Sequence, residues 1–262
     1  MPQKNDHTFA ICAYRESPYL EECILSLRNQ TLKTNIIITT STPNEHISSL
    51  GKKYSIPVYV NPVKKGIGSD WNYALDQVHT KYATIAHQDD VYLKNYSKKI
   101  LKKFNDNPNG LMIFSGYNEI FNDMVIAQDI NLKIKKILLI PILLNGSRRI
   151  NKRLSLAFGD PICCPSITFN KMELGDFRFD ESLSAGLDWE AWEYLSHRKS
   201  AFLYLPESLM LHRIHDESQT SSAIEDNLRT VEDLDILKRF WPKGIAKVIS
   251  KIYRISEKGN VK

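Results

Sequence analysis

The sequence predicts an α/β protein built around a mostly parallel sheet. Between residues 8 and 115, short apolar runs alternate with amphipathic segments of helical period, and the links between them are short. That order is typical of βαβ units, whose helices cover the faces of a parallel sheet. After residue 117 the pattern changes to β-rich runs with fewer helices, and the chain closes with lysine-rich helical segments. We therefore expect a Rossmann-like first half, a mixed second half and C-terminal helices.

Each element follows from a local pattern. Strands are predicted where a short apolar run is bounded by polar or turn residues, namely at 8–13, 35–40, 57–60, 82–87, 111–115, 201–205 and 208–214. Helices are predicted where apolar residues recur at helical spacing, namely at 18–29, 43–54, 69–79, 93–104, 187–197 and 223–258. Ser17 and Pro18 are expected to open the first helix as its N-cap and first residue. Two further β-rich stretches are expected at 117–130 and 162–182.

The composition is that of an ordinary folded protein. Of the 262 residues, 42% are hydrophobic and 25% are charged, which excludes disordered, collagen-like and coiled-coil chains. The length fits one large domain, or one domain with an added lobe. The net charge of +5 suits phosphate-bearing ligands, an anionic membrane surface or nucleic acid. Because no recognition motif and no alternation of basic and aromatic residues accompanies that charge, nucleic acid is not expected as a partner.

The cysteines and the apolar runs predict the cellular compartment of the protein. The four cysteines, at positions 12, 23, 163 and 164, form no CxxC pair, which favours a reducing compartment. The first residues lack the features of a secretory signal. The longest apolar run, 137–144, contains a proline and is far shorter than the roughly 20 residues that a membrane helix needs. We therefore expect a cytoplasmic protein, soluble or peripheral at the inner face of the membrane.

Polar residues follow three of the predicted strands, at 13–16, 40–42 and 87–90. Ligands of open parallel sheets bind outside the carboxyl ends of the strands, so these residues are candidates for a binding site. Asp89 and Asp90 are the sharpest pair, because two adjacent carboxylates after an apolar strand suit a hard divalent cation. The alternative is structural, since either aspartate could be the N-cap of the helix that follows.

Five segments, in the same order, resemble motifs of glycosyltransferase family 2. They are residues 11–31, 66–74, 87–92, 187–192 and 211–218, and the resemblance extends over about 8–220. It implies the GT-A fold and an inverting, metal-dependent transfer from a nucleotide-diphosphate sugar. It also implies a GT-A domain over 1–220, with a donor-binding half at about 1–116 and an acceptor half at about 117–220. Residues 221–262 would then form a C-terminal helical extension.

The resemblance assigns roles residue by residue. The catalytic base would be Asp188, and the metal, Mn²⁺ or Mg²⁺, would be held by Asp89, Asp90 and His215, the last of which could instead hold the diphosphate. The nucleotide-sugar would be bound by Ala13, Tyr14, Glu16, Thr40, Ser41, Asn72, His87 and Gln88. The acceptor would be a glycan or a lipid-linked sugar, in the synthesis of a cell-surface polysaccharide.

The chain departs from the family pattern at several positions. His87 replaces the first aspartate of the usual metal motif, Thr40 and Ser41 stand where relatives usually carry aspartates, and Trp71 stands where arginine is common. These changes raise the alternative of a non-catalytic nucleotide-sugar or glycan-binding relative, because a fold does not guarantee an activity. A nucleotidyltransferase is a third alternative, but it would need a glycine-rich and basic triphosphate loop that the sequence lacks.

Several residues keep a structural alternative. His215 could be a surface histidine and Asp188 a helix N-cap, although we favour function for both. We expect Trp189 and Trp192 in the core and Glu190 in a salt bridge. Cys163 and Cys164 are expected to be buried as small hydrophobic residues. The segment 133–153, rich in Lys, Arg, Ile and Leu, is either an amphipathic helix packed on the domain or a patch that contacts anionic lipid.

Overall fold

A computed structural model describes residues 6–126, 130–215 and 228–258 of the chain, with the side chains of 228 and 254–258 left out. Nine strands lie in this described part: β1 (His7–Ala13), β2 (Asn35–Thr40), β3 (Val58–Val60), β4 (Tyr82–His87), β5 (Val91–Tyr92), β6 (Gly110–Phe121), β7 (Met124–Ile126), β8 (Ile167–Asn170) and β9 (Ala201–Arg213). The helices are α1 (Leu20–Arg28), α2 (Glu45–Tyr54), α3 (Ile67–Gln77), α4 (Tyr96–Asp106), α5 (Ile130–Leu138), α6 (Ile140–Asn145), α7 (Arg149–Leu156), α8 (Lys171–Leu174), α9 (Leu187–Ser196), α10 (Leu228–Leu237) and α11 (Lys243–Lys258).

The strands form one sheet in the order β3-β2-β1-β4-β8-β6-β9-β5, with β7 paired to β6. The longest ladders, β1 with β2, β1 with β4 and β6 with β9, are parallel. The short strand β8 runs antiparallel between β4 and β6 and joins the two parallel parts. The predicted α/β class with a mostly parallel sheet is therefore confirmed. The predicted domain boundary near 220 falls in residues that the structure does not describe and stays a prediction.

Alternation along the strands divides the interior into two cores, one on each face of the sheet. In β1, Phe9 and Ile11 belong to one cluster of buried residues, whereas Ala10 belongs to the other, because successive side chains of a strand point to opposite faces. The helices α1, α2 and α4 cover the first face, and α3, α9 and α10 cover the second. Helix α1 buries Leu20 and Ile24 along a stripe of helical period, which is why this segment is a helix.

The two strands predicted at 201–205 and 208–214 are one strand, β9, and that prediction was wrong. Pro206 lies between the two predicted runs, and proline cannot donate a hydrogen bond to a ladder. In the structure the register of β9 shifts opposite Ser115 and Gly116 instead, and the strand continues past the irregularity. Gly116 allows this close approach, because a Cβ atom there would lie 2.6 Å from the carbonyl oxygen of Pro206.

Other boundaries also differ from the predictions. The stretch 162–182 contains only β8 as a strand, preceded by a short 3-10 helix at Cys164–Ser166 and followed by α8. The stretch 133–153 forms most of three helices, and Pro141 lies in the first turn of the second one. Helix α1 begins at Leu20 with Tyr19 at the N-cap position, so Ser17 is not its cap. Within the described residues, no helix combines the length and the apolar character needed to span a bilayer.

Candidate functional site

The carboxyl ends of three neighbouring strands meet at one edge of the sheet. Cys12 of β1 pairs with His87 of β4, and Ala13 of β1 pairs with Thr40 of β2. This register brings together most of the residues that the sequence assigns to the nucleotide and the metal, as the order of a parallel sheet predicts. The rest of the site comes from the loop after β4 and from the end of β9, two segments that are far apart in sequence.

Asp90 is fully buried at the centre of this edge. Its Oδ1 atom accepts hydrogen bonds from the backbone N–H of Arg213, at 2.9 Å, and from Nδ1 of His212, at 3.0 Å. Its Oδ2 atom has no hydrogen-bond partner in the described part of the chain and lies 3.9 Å from Nδ1 of His87. A buried carboxylate oxygen without a partner is costly, so this atom is suited to a ligand that is not part of the protein.

Asp89, in the same loop, contacts residues at and just after the end of β9. Its Oδ2 atom lies 2.9 Å from Nε2 of His215, and its backbone oxygen accepts a hydrogen bond from Nε of Arg213 at 3.0 Å. Burial raises the pKa of Asp89, but the bond from His215 and the nearby histidine charges outweigh it and hold the pKa below its ordinary value. Burial lowers the pKa of His212, but the charge and the hydrogen bond of Asp90 raise it by more, so the pKa lies above its ordinary value.

The helix-cap alternative for the aspartates does not fit the structure. Helix α4 begins at Tyr96, and the N-cap position is Asn95. His87, Asp89 and Asp90 instead each offer a ligand atom, and those three atoms lie within 4.8 Å of one another. The Nε2 atom of His87 is buried without a partner among the described residues, as is the free oxygen of Asp90. This donor set and its unpartnered atoms fit a divalent cation.

Trp71 contacts this cluster through His87. Its indole stacks on the imidazole of His87, with ring centroids 5.4 Å apart and an angle of 23° between the planes. Trp71 is buried and also contacts Phe179 edge to face. Two departures from the family pattern, at 71 and 87, are thus in direct contact with each other.

A carboxylate that the sequence analysis missed lies beside the end of β2. Asp70, in the first turn of α3, accepts a hydrogen bond from Oγ of Ser41 at 2.9 Å and from Nδ2 of Asn61 at 3.0 Å. Ser41 and Thr40 are both buried, and Oγ1 of Thr40 accepts from the backbone N–H of Thr42. The end of β2 lacks acidic residues of its own, but an acidic group is supplied there by the neighbouring helix.

Gln88 ties the loop after β4 to the end of β1. Its Oε1 accepts from the backbone N–H of Tyr14, and its Nε2 donates to the backbone oxygen of Tyr14, both at 3.0 Å. The next residue, Arg15, has a φ of 54°, an uncommon conformation for a residue other than glycine, and its N–H donates to Thr42 Oγ1 at 2.6 Å. The side chains of Tyr14 and Glu16 are exposed. Gln88 therefore fixes the position of Tyr14, and its role as a direct ligand stays a prediction.

Asn72 is buried, and both ends of its amide are used within the protein. Its Oδ1 accepts from the backbone N–H of Phe179 at 2.8 Å, and its Nδ2 donates to the oxygen of Phe179 at 3.0 Å. The amide also reaches Glu181 at 3.2 Å. These contacts join α3 to the segment before α9, and a contact of Asn72 with the nucleotide remains a prediction.

Asp188 lies in the first turn of α9, but the N-cap position belongs to Gly186. Its Oδ1 atom accepts the backbone N–H of Trp189 at 2.8 Å. Burial raises the pKa of the Cys163 thiol, and the charges of Asp90, Asp160 and Asp188 raise it further. Asp90 and Asp188 thus both act on the pKa of the Cys163 thiol, and the role of Asp188 in the site stays a prediction.

The structural expectations for α9 and for Cys164 are met, and the one for Cys163 is met only in part. Trp189 and Trp192 are at most 1% exposed and lie in the core. Glu190 forms an ion pair with Arg239 at 2.7 Å. Cys164 is buried and Cys163 is partly buried, and both are free thiols.

Two further ionisable groups interact with residues around the candidate site, and no motif in the sequence marks them. Burial raises the pKa of Asp160 well above its ordinary range, and the charge of Asp188 raises it further. Lys135 of α5 donates a hydrogen bond from Nζ to the hydroxyl of Tyr117 at 2.8 Å. The ring of Tyr117 in turn packs edge to face against His212, the partner of Asp90. The sequence placed Lys135 only in a basic segment, because nothing local distinguishes it from its neighbours.

A family model described as glycosyl transferase family 2 matches residues 8–174, which is more than half of the chain. The chain belongs to this family. The matched residues include β1 to β4 and the loop with Asp89 and Asp90, whereas Asp188 and His215 lie beyond them. No curated protein sequence matches the chain.

The solved structures of similar fold include TarS and a mannosyltransferase. TarS from S. aureus in complex with UDP-GlcNAc is 15% identical with a TM-score of 0.64, and the match covers 93% of this family 2 chain and 70% of TarS. The mannosyltransferase PcManGT from Pyrobaculum calidifontis, in complex with GDP-Man and Mn²⁺, is 12% identical with a TM-score of 0.63 over 95% and 69% of the two chains. At these identities the likeness establishes the fold, which is GT-A.

Proposed function

We propose that this chain is an inverting, metal-dependent glycosyltransferase that moves a sugar from a nucleotide-diphosphate donor to a glycan or a lipid-linked acceptor. The observation that carries the proposal is the fully buried Asp90, whose Oδ2 atom lacks a partner beside Asp89 and His87. A folded chain without a ligand gains nothing from this arrangement, whereas a site for a cation and a diphosphate needs it.

His87, Asp89 and Asp90 are the residues that would hold the cation, and His215 would orient Asp89 through the contact at 2.9 Å. When bound, a divalent cation supplies positive charge to the diphosphate oxygens as the leaving group departs. The complex of PcManGT with GDP-Man and Mn²⁺ makes manganese the first metal to test. Three carboxylate and imidazole donors are compatible with it, although imidazole is a less typical partner for manganese than carboxylate.

Asp188 is proposed as the general base. A sugar hydroxyl has a pKa far above 7, so it attacks efficiently only when a carboxylate accepts its proton. The oxygen of the acceptor then bonds to the anomeric carbon of the donor as the bond from that carbon to the diphosphate oxygen breaks. A single displacement of this kind inverts the configuration of the anomeric carbon.

The nucleotide is proposed to lie over the ends of β1 and β2. Tyr14 offers an exposed ring, Ala13 allows close approach, and Glu16 lies beside them. Asp70, held by Ser41 and Asn61, supplies the carboxylate that the end of β2 lacks. UDP-GlcNAc and GDP-Man, the molecules in the TarS and PcManGT complexes, define two nucleobases to compare.

Calorimetry with UDP and GDP, each with and without Mn²⁺, tests the proposal. We expect one of the two nucleotides to bind at least tenfold more tightly with the metal, and Asp90→Asn to abolish that difference. Asp176→Asn, which changes a fully exposed carboxylate, is the control. NMR of the sugar product would then give the anomeric configuration, and retention of configuration would contradict the single displacement.

The competing function is a binding protein of the same fold without catalysis, which the substitutions at 40, 41 and 87 favour. It predicts nucleotide binding that is independent of metal and no hydrolysis or transfer of the donor sugar. The proposed role in the cytoplasm, in the synthesis of a surface polysaccharide, depends on the acceptor, which a panel of lipid-linked and free glycans would identify.

A further inference from the structure

The helices α5 to α7 present an apolar surface to the outside of the molecule. The large residues exposed on these helices include Ile130, Ile134, Ile137, Leu143, Leu144 and Ile150. Leu144 is 78% exposed and Ile137 is 63% exposed. Soluble proteins rarely expose contiguous apolar patches of this kind without a partner.

The exposure follows from the helical period and not from a lack of packing. In α5, Ile130, Ile134 and Ile137 recur on one side of the helix, whereas Leu132 is 3% exposed on the other. Leu139 and Ile142 are buried in the core in the same way. These helices are therefore well anchored, and they carry a second apolar stripe that the core does not use.

The charge of this segment selects one type of partner. Residues 130–159 contain no aspartate or glutamate but contain seven lysines and arginines. Lys133, Lys136, Arg148 and Arg149 are exposed and flank the apolar residues. An apolar stripe between cationic side chains is complementary to an anionic lipid surface, where acyl chains lie beneath negative headgroups.

Helix α11 extends the same type of surface. Ile245, Val248 and Ile252 are exposed along one side of it, between exposed lysines. It lies next to α7, since Nε1 of Trp241, just before α11, donates to the carbonyl of Ala157 at 2.6 Å.

We propose that α5 to α7, together with α11, dock the protein on an anionic membrane, with the apolar side chains inserted among the headgroups. The same helix α5 reaches the candidate site from its other side, through the bond of Lys135 to Tyr117. Docking therefore brings the side of the candidate site that holds Tyr117 and His212 towards the lipid. A lipid-linked acceptor would then react without leaving the bilayer, and this last step rests on the proposed function.

Flotation with phosphatidylcholine vesicles, with and without phosphatidylglycerol, tests the docking. The full chain is expected to bind vesicles with phosphatidylglycerol at least tenfold more tightly. Salt at 0.5 M is expected to weaken that binding, because the Debye length falls to about 4 Å. Ile137→Glu combined with Leu144→Glu should abolish vesicle binding. The matched control is Met172→Glu, because Met172 is as exposed as Leu144 but lies on α8.

Charge is tested separately from insertion. Lys133→Gln with Lys136→Gln should remove most of the preference for phosphatidylglycerol, whereas Lys52→Gln with Lys65→Gln, two exposed lysines of the donor half, should not. Nucleotide binding with Mn²⁺ is measured on every variant. If it persists while vesicle binding is lost, the docking surface and the site are separate properties, and failure of one leaves the other standing.

Two results would overturn the proposal. The first is equal or undetectable binding of the unmodified chain to both kinds of vesicle. The second is a concentration-dependent dimer, seen by sedimentation, that the double glutamate variant abolishes, since the surface would then belong to a second copy of this chain.

Discussion

The imidazole of His87 stacks on the indole of Trp71 at 5.4 Å, and both residues depart from the family pattern. Because the stack holds the imidazole beside Asp90, the first position of the metal motif is fixed by an aromatic contact and not by a second carboxylate. An edge or stacked aromatic contact of this type contributes about 0.5–1.5 kcal/mol to stability.

Replacement of His87 by aspartate should therefore change two properties in opposite directions. We expect His87→Asp to bind Mn²⁺ more tightly than the unmodified chain, because carboxylate oxygen is the preferred ligand of this hard cation. Without metal, its free energy of unfolding should fall by about 1 kcal/mol or more, since the stack is lost. Metal titration and urea unfolding measure these effects. His87→Asn is the control, because it places an amide where His87→Asp places a carboxylate. If the two variants bind Mn²⁺ equally tightly, the carboxylate has no role in metal affinity.

Asp188 is predicted to act in the chemical step and not in donor binding. Asp188→Asn should reduce turnover by about 10²–10⁴-fold, the usual range for a general base, with the affinity for the nucleotide nearly unchanged. Turnover of the donor and calorimetry with the nucleotide separate the two. Glu190→Gln, in the same turn of α9 and paired with Arg239, is the control that should keep turnover. Unchanged turnover in Asp188→Asn would remove this residue from its proposed role.

Asp70 is predicted to contribute to recognition of the nucleobase. Asp70→Asn places an amide donor against Oγ of Ser41 or Nδ2 of Asn61, which both donate to the carboxylate now. The bond that the carboxylate would accept from the nucleobase is worth about 1–1.5 kcal/mol, so the preferred nucleoside diphosphate should bind Asp70→Asn about tenfold more weakly. Asp76→Asn, on the same helix and paired with Arg178, should have no such effect. An equal loss for both variants would indicate a general effect on α3.

His7 is predicted to make stability depend on pH. It is buried, it lies within hydrogen-bond distance of Thr34 and Thr84, and burial lowers its pKa from 6.5 to about 3. The folded state disfavours protonation of this ring. The contribution of neutral His7 to the free energy of unfolding is therefore complete above pH 6.5 and is lost progressively as the pH falls towards 3. The slope for one proton is at most about 1.4 kcal/mol per pH unit.

Urea unfolding of the unmodified chain and of His7→Gln, at several values between pH 7 and pH 4.5, measures this contribution. Other groups titrate in both proteins, so the difference between the two slopes isolates His7. The unmodified chain should lose stability more steeply. Parallel pH profiles would show that His7 is protonated in the folded state or that the fold opens around it.

The local patterns of the sequence predicted the strands that carry the site well. The bounds of β2 and β4 agree with the prediction, because each is a short apolar run between clear turn signals. The alternation of strand and helix also predicted that Ala13, Thr40 and His87 would meet at one edge. The family resemblance predicted the loop with Asp89 and Asp90, and the structure excludes the helix-cap alternative.

The parts that were not predicted depend on contacts between distant residues. The insertion of β8 between β4 and β6 pairs residues that are 84 to 88 positions apart in the ladder with β4 and 53 to 57 apart in the ladder with β6, and nothing local signals that pairing. The use of Gln88 on the backbone of Tyr14, and of Asn72 on that of Phe179, likewise depends on the folded arrangement. Asp70 and Lys135 gave no motif, because their position depends on which side of a helix faces the site.

Arg213 has a consequence for any attempt to recombine this protein with a relative. Its buried guanidinium reaches Glu22 at 2.5 Å, the backbone of Asp89 at 3.0 Å and Asp123 at 3.1 Å. The position of the loop after β4, in the donor half, thus depends on β9, which is the last strand in the order of the sequence among the described residues. A chimaera that swaps acceptor halves must keep β9 with its native donor half, or the two parts will be mismatched at the residues that matter most.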